Sequence, residues 1–402
     1  MNTSLFLLTT LAALVSALPQ AERGGPVDDR GSFVTTLGRD TVVVESFTRT
    51  ASRVDGDIVV RTPGTVLIHY AVDLTASGAP SRSVVDVTPL GTAEVLARHV
   101  AIDFTRDTVS IDIDSGEGGN HRRSRAELAA QGPLQLMTGF GPSYGLYASP
   151  ALYELYAPLA RAAVGDTLHT TTIDIVSGRA TKHTFIKRSP TSFDADFFGI
   201  AWTHFTLDNA WRVLSADASE TTERTQTHRT DFIDAAIAAK RFAADDHAGT
   251  GLGIASPAVI ARGTIGGQLI VATYSSPRKR NRVILGKVVP YDQIWRTGAN
   301  EATILFFDKD LMIGDKRIAA GTYSIWTLPK RDGSVDLIIN AQHGQWGTDY
   351  DRARDVAHIP MKVTASVSPE EDFAIAIKGG DPGELRISWD TFVWTVPVTV
   401  AK

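Results

Sequence analysis

Two antiparallel β domains are the fold this sequence predicts, and three observations carry that expectation. Apolar residues recur at every second position over many short stretches, as half-buried strands require. Thr and Val are frequent while long Ala/Leu/Glu/Lys stretches are nearly absent, a balance that favours strand over helix. At 402 residues the chain exceeds what one ordinary core holds, so two domains are the natural division.

The elements follow in order. Leu5 to Val15 is a short apolar run broken only by Thr9 and Thr10, followed by Ser16, Ala17 and Pro19-Gln20-Ala21. It reads as a signal peptide over residues 1–21 with cleavage near Ala21, although no Lys or Arg precedes it. No other segment reaches the roughly 20 apolar residues of a membrane helix. The expected product is soluble and periplasmic or secreted, with no stable membrane span after signal removal. The chain has no cysteine, which excludes disulfides, thiolate metal sites, a Cys nucleophile and a lipidated N-terminal Cys. The net charge of −5 is spread through the chain, so nothing points to nucleic acid.

An N-terminal antiparallel β domain is expected over residues 30–248. Val66 to Leu74 places its apolar residues at 66, 68, 70, 72 and 74, with His69 and Asp73 on the other face. Similar alternation marks 41–47, 57–61, 95–104, 109–113, 168–176, 184–186, 200–207 and 211–214. Asp55-Gly56, Ser77-Gly78 and Ser177-Gly178 are the turn signals between them. Two helices interrupt the sheet. Ser149 as N-cap and Pro150 at the first position open one over 149–163, with Pro158 kinking or splitting it. A second covers 233–244, capped by Asp231 or Asp234. A sheet curling over a helix gives a curved sheet or half-barrel. The glycine-rich run from Gly249 leads into a linker over 249–257.

The C-terminal domain, residues 258–402, again alternates strand and turn, and five of the seven tryptophans lie in it. Its motifs are dense: Tyr274 to Arg282, Val289 to Thr303 with the segment Trp295-Arg-Thr-Gly-Ala-Asn300, and Ile313 to Pro329 with Ala320-Gly-Thr-Tyr-Ser-Ile-Trp326. Leu337 to Asn340, Gly344-Gln-Trp-Gly-Thr348 and Ser388-Trp389 complete them. From about Ser256 to Val400 these resemble the exported bacterial family called domain of unknown function 2911. The resemblance implies an all-β domain in the envelope, and implies no activity; a β-sandwich is the expected form of this domain. Asn281, Ala341, His343 and His358 depart from the family pattern, His358 standing where an Arg is common.

Read without the family, Tyr291 to Trp295 suggests one helical turn stacking Tyr291 on Trp295 at i,i+4. Tyr323, Ile325 and Thr327 share one strand face, and Ser324, Trp326 and Leu328 the other. The segment Trp295 to Glu301 is the leading site candidate. One reading is a corner locking loop to sheet. The other is a pocket of Trp295, Arg296, Asn300, Glu301, Trp346 and Asp355, able to stack a ring and clamp a carboxylate. A small molecule, a glycan or an envelope protein is then the expected partner, with no cofactor and no metal.

Other motifs carry less. Gly141-Pro-Ser143-Tyr-Gly145 matches a nucleophile elbow but lacks the α/β context. The ten histidines show no metal-ligand spacing. Asp112, Asp114 and Glu117 lack the full calcium-loop series. Gly116 to Arg125 reads as a solvated loop or an anion-binding flap, and Arg278 to Arg282 as a turn of exposed cations or a phosphate contact. The expected function is non-catalytic ligand or partner binding in the bacterial envelope. The alternatives are a polysaccharide or peptide hydrolase using Glu301, His343 and Asp355, or a purely structural module.

Overall fold

The computed structural model describes residues 28–92, 97–105, 108–115, 121–127, 134–137, 149–155, 166–174, 176, 180–197, 201–221 and 223–401. The signal segment and the Gly141–Gly145 motif lie outside them. The chain divides between Gly253 and Ile254 into two compact units, each built on its own sheet. Mostly antiparallel β structure is what the alternation predicted.

The first half of unit one is a meander of β1 (Asp29–Leu37), β2 (Asp40–Arg49), β3 (Arg53–Val60) and β4 (Val66–Leu74). It continues through β5 (Pro80–Pro89), β6 (Arg98–Phe104), β7 (Thr108–Asp114) and β8 (Arg122–Glu127). The second half comprises β9 (Leu134–Met137), β10 (Thr167–Asp174), β11 (Ala180–Ser189) and β12 (Ser192–Phe197). β13 (Ala201–Leu207), β14 (Val213–Asp217) and β15 (Gln226–Thr230) complete it. The sheet order is β8 to β1, then β15 back to β9. The first and last strands therefore pair at the centre, Phe33 opposite Arg229, and the chain's midpoint supplies both edges. β9 joins β10 in parallel, while the remaining pairs are antiparallel.

One line of cross-strand neighbours runs Ile113, Val100, Val85, Tyr70, Gly56, Phe47 and Gly31. Its large side chains are buried. Directly behind it runs Asp114, His99, Asp86, His69 and Asp57, half-buried or exposed. Among its described residues unit one has no second sheet of its own, and burying one face on strand after strand then favours a sheet that curls around that face.

Two α-helices stand among the described residues of this unit, on opposite faces. α1 (Pro150–Tyr153) is a single turn on the inner face, with Ser149 capping Leu152 N at 3.2 Å and Pro150 at its start. The expected helix over 149–163 is thus one turn as far as it is described, and 156–165 lie outside. α2 (Ala235–His247) is capped by Asp234, which accepts from Ile237 N at 2.9 Å. It packs Ala235 and Ala239 on Val44 and Val59. These wall residues alternate with inward Glu45 and Ile58, so α2 lies outside the curl rather than under it.

The Asp55-Gly56 turn signal is corrected, because Gly56 sits inside β3. A Cβ there would stand 2.3 Å from the Tyr70 ring, so the glycine makes room for an aromatic crossing the strand.

Unit two begins with β16 (Ala258–Ile265), β17 (Gln268–Ser275), β18 (Ala299–Phe307), β19 (Leu311–Ile313) and β20 (Lys316–Ile318). It ends with β21 (Gly321–Pro329), β22 (Val335–Asn340), β23 (Asp355–Lys378) and β24 (Gly383–Val400). Their order is β16-β17-β18-β21-β22-β23-β24-β19-β20. Inward residues from both ends of this order, such as Leu305, Ile325, Trp389 and Val398, form one core. The expected helical turn at 291–295 is absent. Asp292 takes φ +60°, its N–H donates to Pro329 O at 2.8 Å, and Trp295 exchanges backbone bonds with Thr327. Strand-like pairing here satisfies more backbone groups than an isolated turn of helix would.

Candidate functional site

Among the described strand residues of unit one, Asp29, Glu45, Arg49 and Arg229 face the interior, where alternation alone would place apolar ones. On β2 the inward positions read Val43, Glu45, Phe47 and Arg49; on β15 Arg229 faces the same way, and Asp29 begins β1. Glu154, immediately after α1, is the central partner. Its Oε2 accepts from Arg49 Nη1 at 2.7 Å, and its Oε1 from Arg229 Nη1 at 2.7 Å and Val213 N at 2.9 Å. The side chains of Glu154, Arg49 and Arg229 are only 1%, 8% and 12% exposed. Asp29 Oδ2 takes Arg229 Nη2 at 2.5 Å, and Ala151 O takes Arg49 Nη2 at 2.6 Å. Burial holds the Glu154 carboxyl above its ordinary range despite both guanidiniums.

Glu45 forms a second anchor. It accepts from Tyr70 Oη at 2.7 Å, from Ser149 Oγ and, weakly, from Ala151 N at 3.4 Å. Burial pushes its carboxyl up to about 7, against the lowering effect of those donors. The Tyr70 hydroxyl is raised in turn, chiefly by burial and then by Glu45.

Around these polar anchors the wall is aromatic. Phe33 stacks on Phe47 at 5.6 Å, and Arg229 lies 5.3 and 5.1 Å from their centroids. Tyr153 stacks on Phe205 at 4.8 Å and meets Phe185 edge-on at 6.1 Å. Phe193 stacks on Phe205 at 4.7 Å. Beside Pro150 a cavity of about 30 Å³ is lined by Thr35, Thr203, Phe205, Glu223 and Thr227, room for one or two waters. The arrangement suits binding: an aromatic bowl, a small polar recess and paired charges. Of this site, sequence reasoning named Ser149 and Pro150 and put Tyr70 on a buried strand face; the overlooked signal was Glu45 and Arg49 on the apolar face of β2.

In unit two the sequence candidates separate. Trp295 enters the core, stacked 6.2 Å from Trp389 and edge-on to Phe373 at 5.3 Å. Asn300, at φ +57°, donates to Ser275 Oγ at 3.2 Å. Its carbonyl accepts from Gly347 N at 2.9 Å, and Ala302 N donates to Gln345 O. A Cβ on Gly347 would lie 2.1 Å from Arg296 Cδ, so the arginine stem packs on that glycine. Glu301 forms a bridge with Trp346; Glu301 and His343 are exposed, Arg296 and Trp346 half-buried. Asp355 belongs to another cluster, accepting from Asn340 Nδ2 at 2.8 Å and Tyr350 Oη at 2.5 Å, with His358 Nε2 at 2.9 Å. Tyr350 packs on Trp326, so this cluster covers the outer face of β21 and β22.

The basic run is no fringe of free cations. Arg278 pairs with Asp372 and Lys279 with Asp390, and Arg280 is 2% exposed. On the outer wall of unit one Asp112 pairs with Arg123 at 2.6 Å. No group of three or more His, Asp or Glu among the described residues could hold a metal ion.

Residues 256–398 match the family described as protein of unknown function (DUF2911), the region whose motifs resemble it. Two solved structures are similar in part. One is a DUF1089 family protein from Pseudomonas aeruginosa, 12% identical, covering 44% of this chain and 89% of that one, with a TM-score of 0.31. The other is a β-barrel-like protein of domain of unknown function DUF1849 from Brucella abortus. It is 11% identical, covering 52% of this chain and 98% of that one, with a TM-score of 0.32. No curated protein matches the chain.

Proposed function

We propose that this chain is an exported, non-catalytic binding protein whose first unit holds an apolar small molecule inside its curled sheet. One observation carries the reading. The inner face is apolar across most of the sheet, and among the described residues the short segment 149–155 lies on it without joining the sheet's ladder. That segment is fastened by side chains, Ser149 to Glu45 and Glu154 to Arg49 and Arg229. A segment held in this way can yield to a ligand without disturbing strand pairing. Export rests on the apolar run at 5–15, and the linker at 249–257 on its glycines.

For unit two we infer a structural corner at Trp295 and Asn300, because both are engaged inward. Glu301, which is exposed, and Trp346, which is half-buried, are the candidate positions that face outward to a polar partner such as a glycan.

The first test is a titration of the purified full chain with N-phenyl-1-naphthylamine, with 1-dodecanol as competitor. One saturable site, emptied by dodecanol and weakened by Phe193→Glu in a still-folded protein, is the expected result. Absence of saturable binding overturns the reading.

A further inference from the structure

We infer that Arg49 and Arg229 form the head-group site for an amphipathic carboxylate, and that Glu154 occupies this site as an internal surrogate of the ligand. The inference rests on the apolar-binding reading and adds the chemistry of the ligand's polar end.

Charge is the first ground. The wall carries two guanidiniums, on β2 and β15, and two carboxyls: Asp29 on β1, paired with Arg229, and Glu45 on β2, engaged by Tyr70 and Ser149 instead of an arginine. Glu154 supplies the arginines' second negative partner and comes from outside the sheet. If Tyr153 and Glu154 withdraw, Arg229 keeps Asp29 but Arg49 loses its carboxylate partner in an apolar interior, which is unfavourable. A replacement that brings a negative charge to Arg49 restores that pairing.

Geometry is the second. Glu154 presents two oxygens, one to each arginine, and the Val213 N–H completes the oxyanion contacts. A planar group with two equivalent oxygens fits such a bridge, as carboxylates fit guanidiniums generally. Arg49 also retains a buried Nε without a hydrogen-bond partner, a donor Glu154 leaves unused.

The third ground is the order of polarity. Tyr153 precedes Glu154 directly and lies on Phe205 and Phe185. The segment thus presents an apolar body followed by a carboxylate, the order of a fatty acid. Phe193 beyond Phe205 extends the apolar surface.

The test measures binding of dodecanoate and 1-dodecanol to the full chain and to Glu154→Gln, which keeps shape and removes the competing charge. Dodecanoate is expected to bind Glu154→Gln about tenfold or more tighter than wild type, with dodecanol unchanged, since charge-assisted pairing to the freed arginines supplies the difference. Adding Arg49→Met is expected to abolish that gain. Equal dodecanoate affinity in wild type and a folded Glu154→Gln overturns the inference. Should circular dichroism show Glu154→Gln unfolded, wild type decides: dodecanoate must outcompete both dodecanol and dodecyltrimethylammonium, and parity with either overturns it. Binding of dodecanol without preference for dodecanoate leaves the apolar reading intact while this one fails. Binding of neither removes both.

Discussion

At the scale of single residues, Glu45 sets how the first unit responds to pH. Its carboxyl is raised from 4.5 to about 7, so the folded chain holds a proton that the unfolded chain releases between those values. The linked stability is fully present below about 4.5 and is lost as pH rises through 7. At about 1.4 kcal/mol per pH unit, the contribution is on the order of 3 kcal/mol. Groups facing Glu45 are Tyr70 on β4, Ser149 and the Ala151 N–H at α1, and the nearby charge of Glu154. Replacing Glu45 by Gln is expected to flatten the stability profile between pH 4.5 and 7. The variant should exceed wild type at pH 8, as urea unfolding at several pH values will measure. A wild-type profile without a decline across that window would contradict the assignment.

At the scale of elements, Gly56 decides whether β3 and β4 can lie together. Its missing Cβ admits the Tyr70 ring, which alone lets the hydroxyl reach Glu45. Gly56→Ala is expected to destabilise the chain by about 2–4 kcal/mol through overpacking and loss of that buried bond. Tyr70→Phe in the same background should recover only part of this, because the ring carbons clash at 2.3 and 2.6 Å as well as the hydroxyl. Thermal unfolding of both variants distinguishes these terms. The same strand explains what was legible in advance. Period-two alternation in β4 is a local signal, and so is the Ser149-Pro150 cap; both can be read from neighbouring residues. The place of Gly56 depends on Tyr70, fourteen positions on, and the inward charges of β2 depend on Glu154 and Arg229. Single-sequence patterns carry no such pairings. Trp295 illustrates the limit from the other side: its motif stood out, yet its indole serves the core beside Trp389 and Phe373, and its strand-like pairing with Thr327 outweighed a local helical turn.

For the whole molecule, the strand order of unit one has a consequence for assembly. β1 to β8 and β9 to β15 are two meanders made almost entirely of sequence neighbours, sharing one seam at β1 and β15. Pairs across that seam, such as Ser32 with Thr230, are nearly two hundred positions apart, so closing it carries the largest loop entropy in the unit. Each half can zip locally first; the seam and the Glu154 bridge, whose partners come from both halves, are then the last to form. A chain interrupted between β8 and β9 should accordingly reassemble from two co-expressed pieces, with recovery of the native circular dichroism spectrum on mixing. Pieces cut instead between β3 and β4 should not, because β1–β3 join the two halves of the sheet and the larger piece would lose that join. The joint that completes the bowl would thus be a late and separable event, and a newly synthesised chain would expose its aromatic interior until that joint is made.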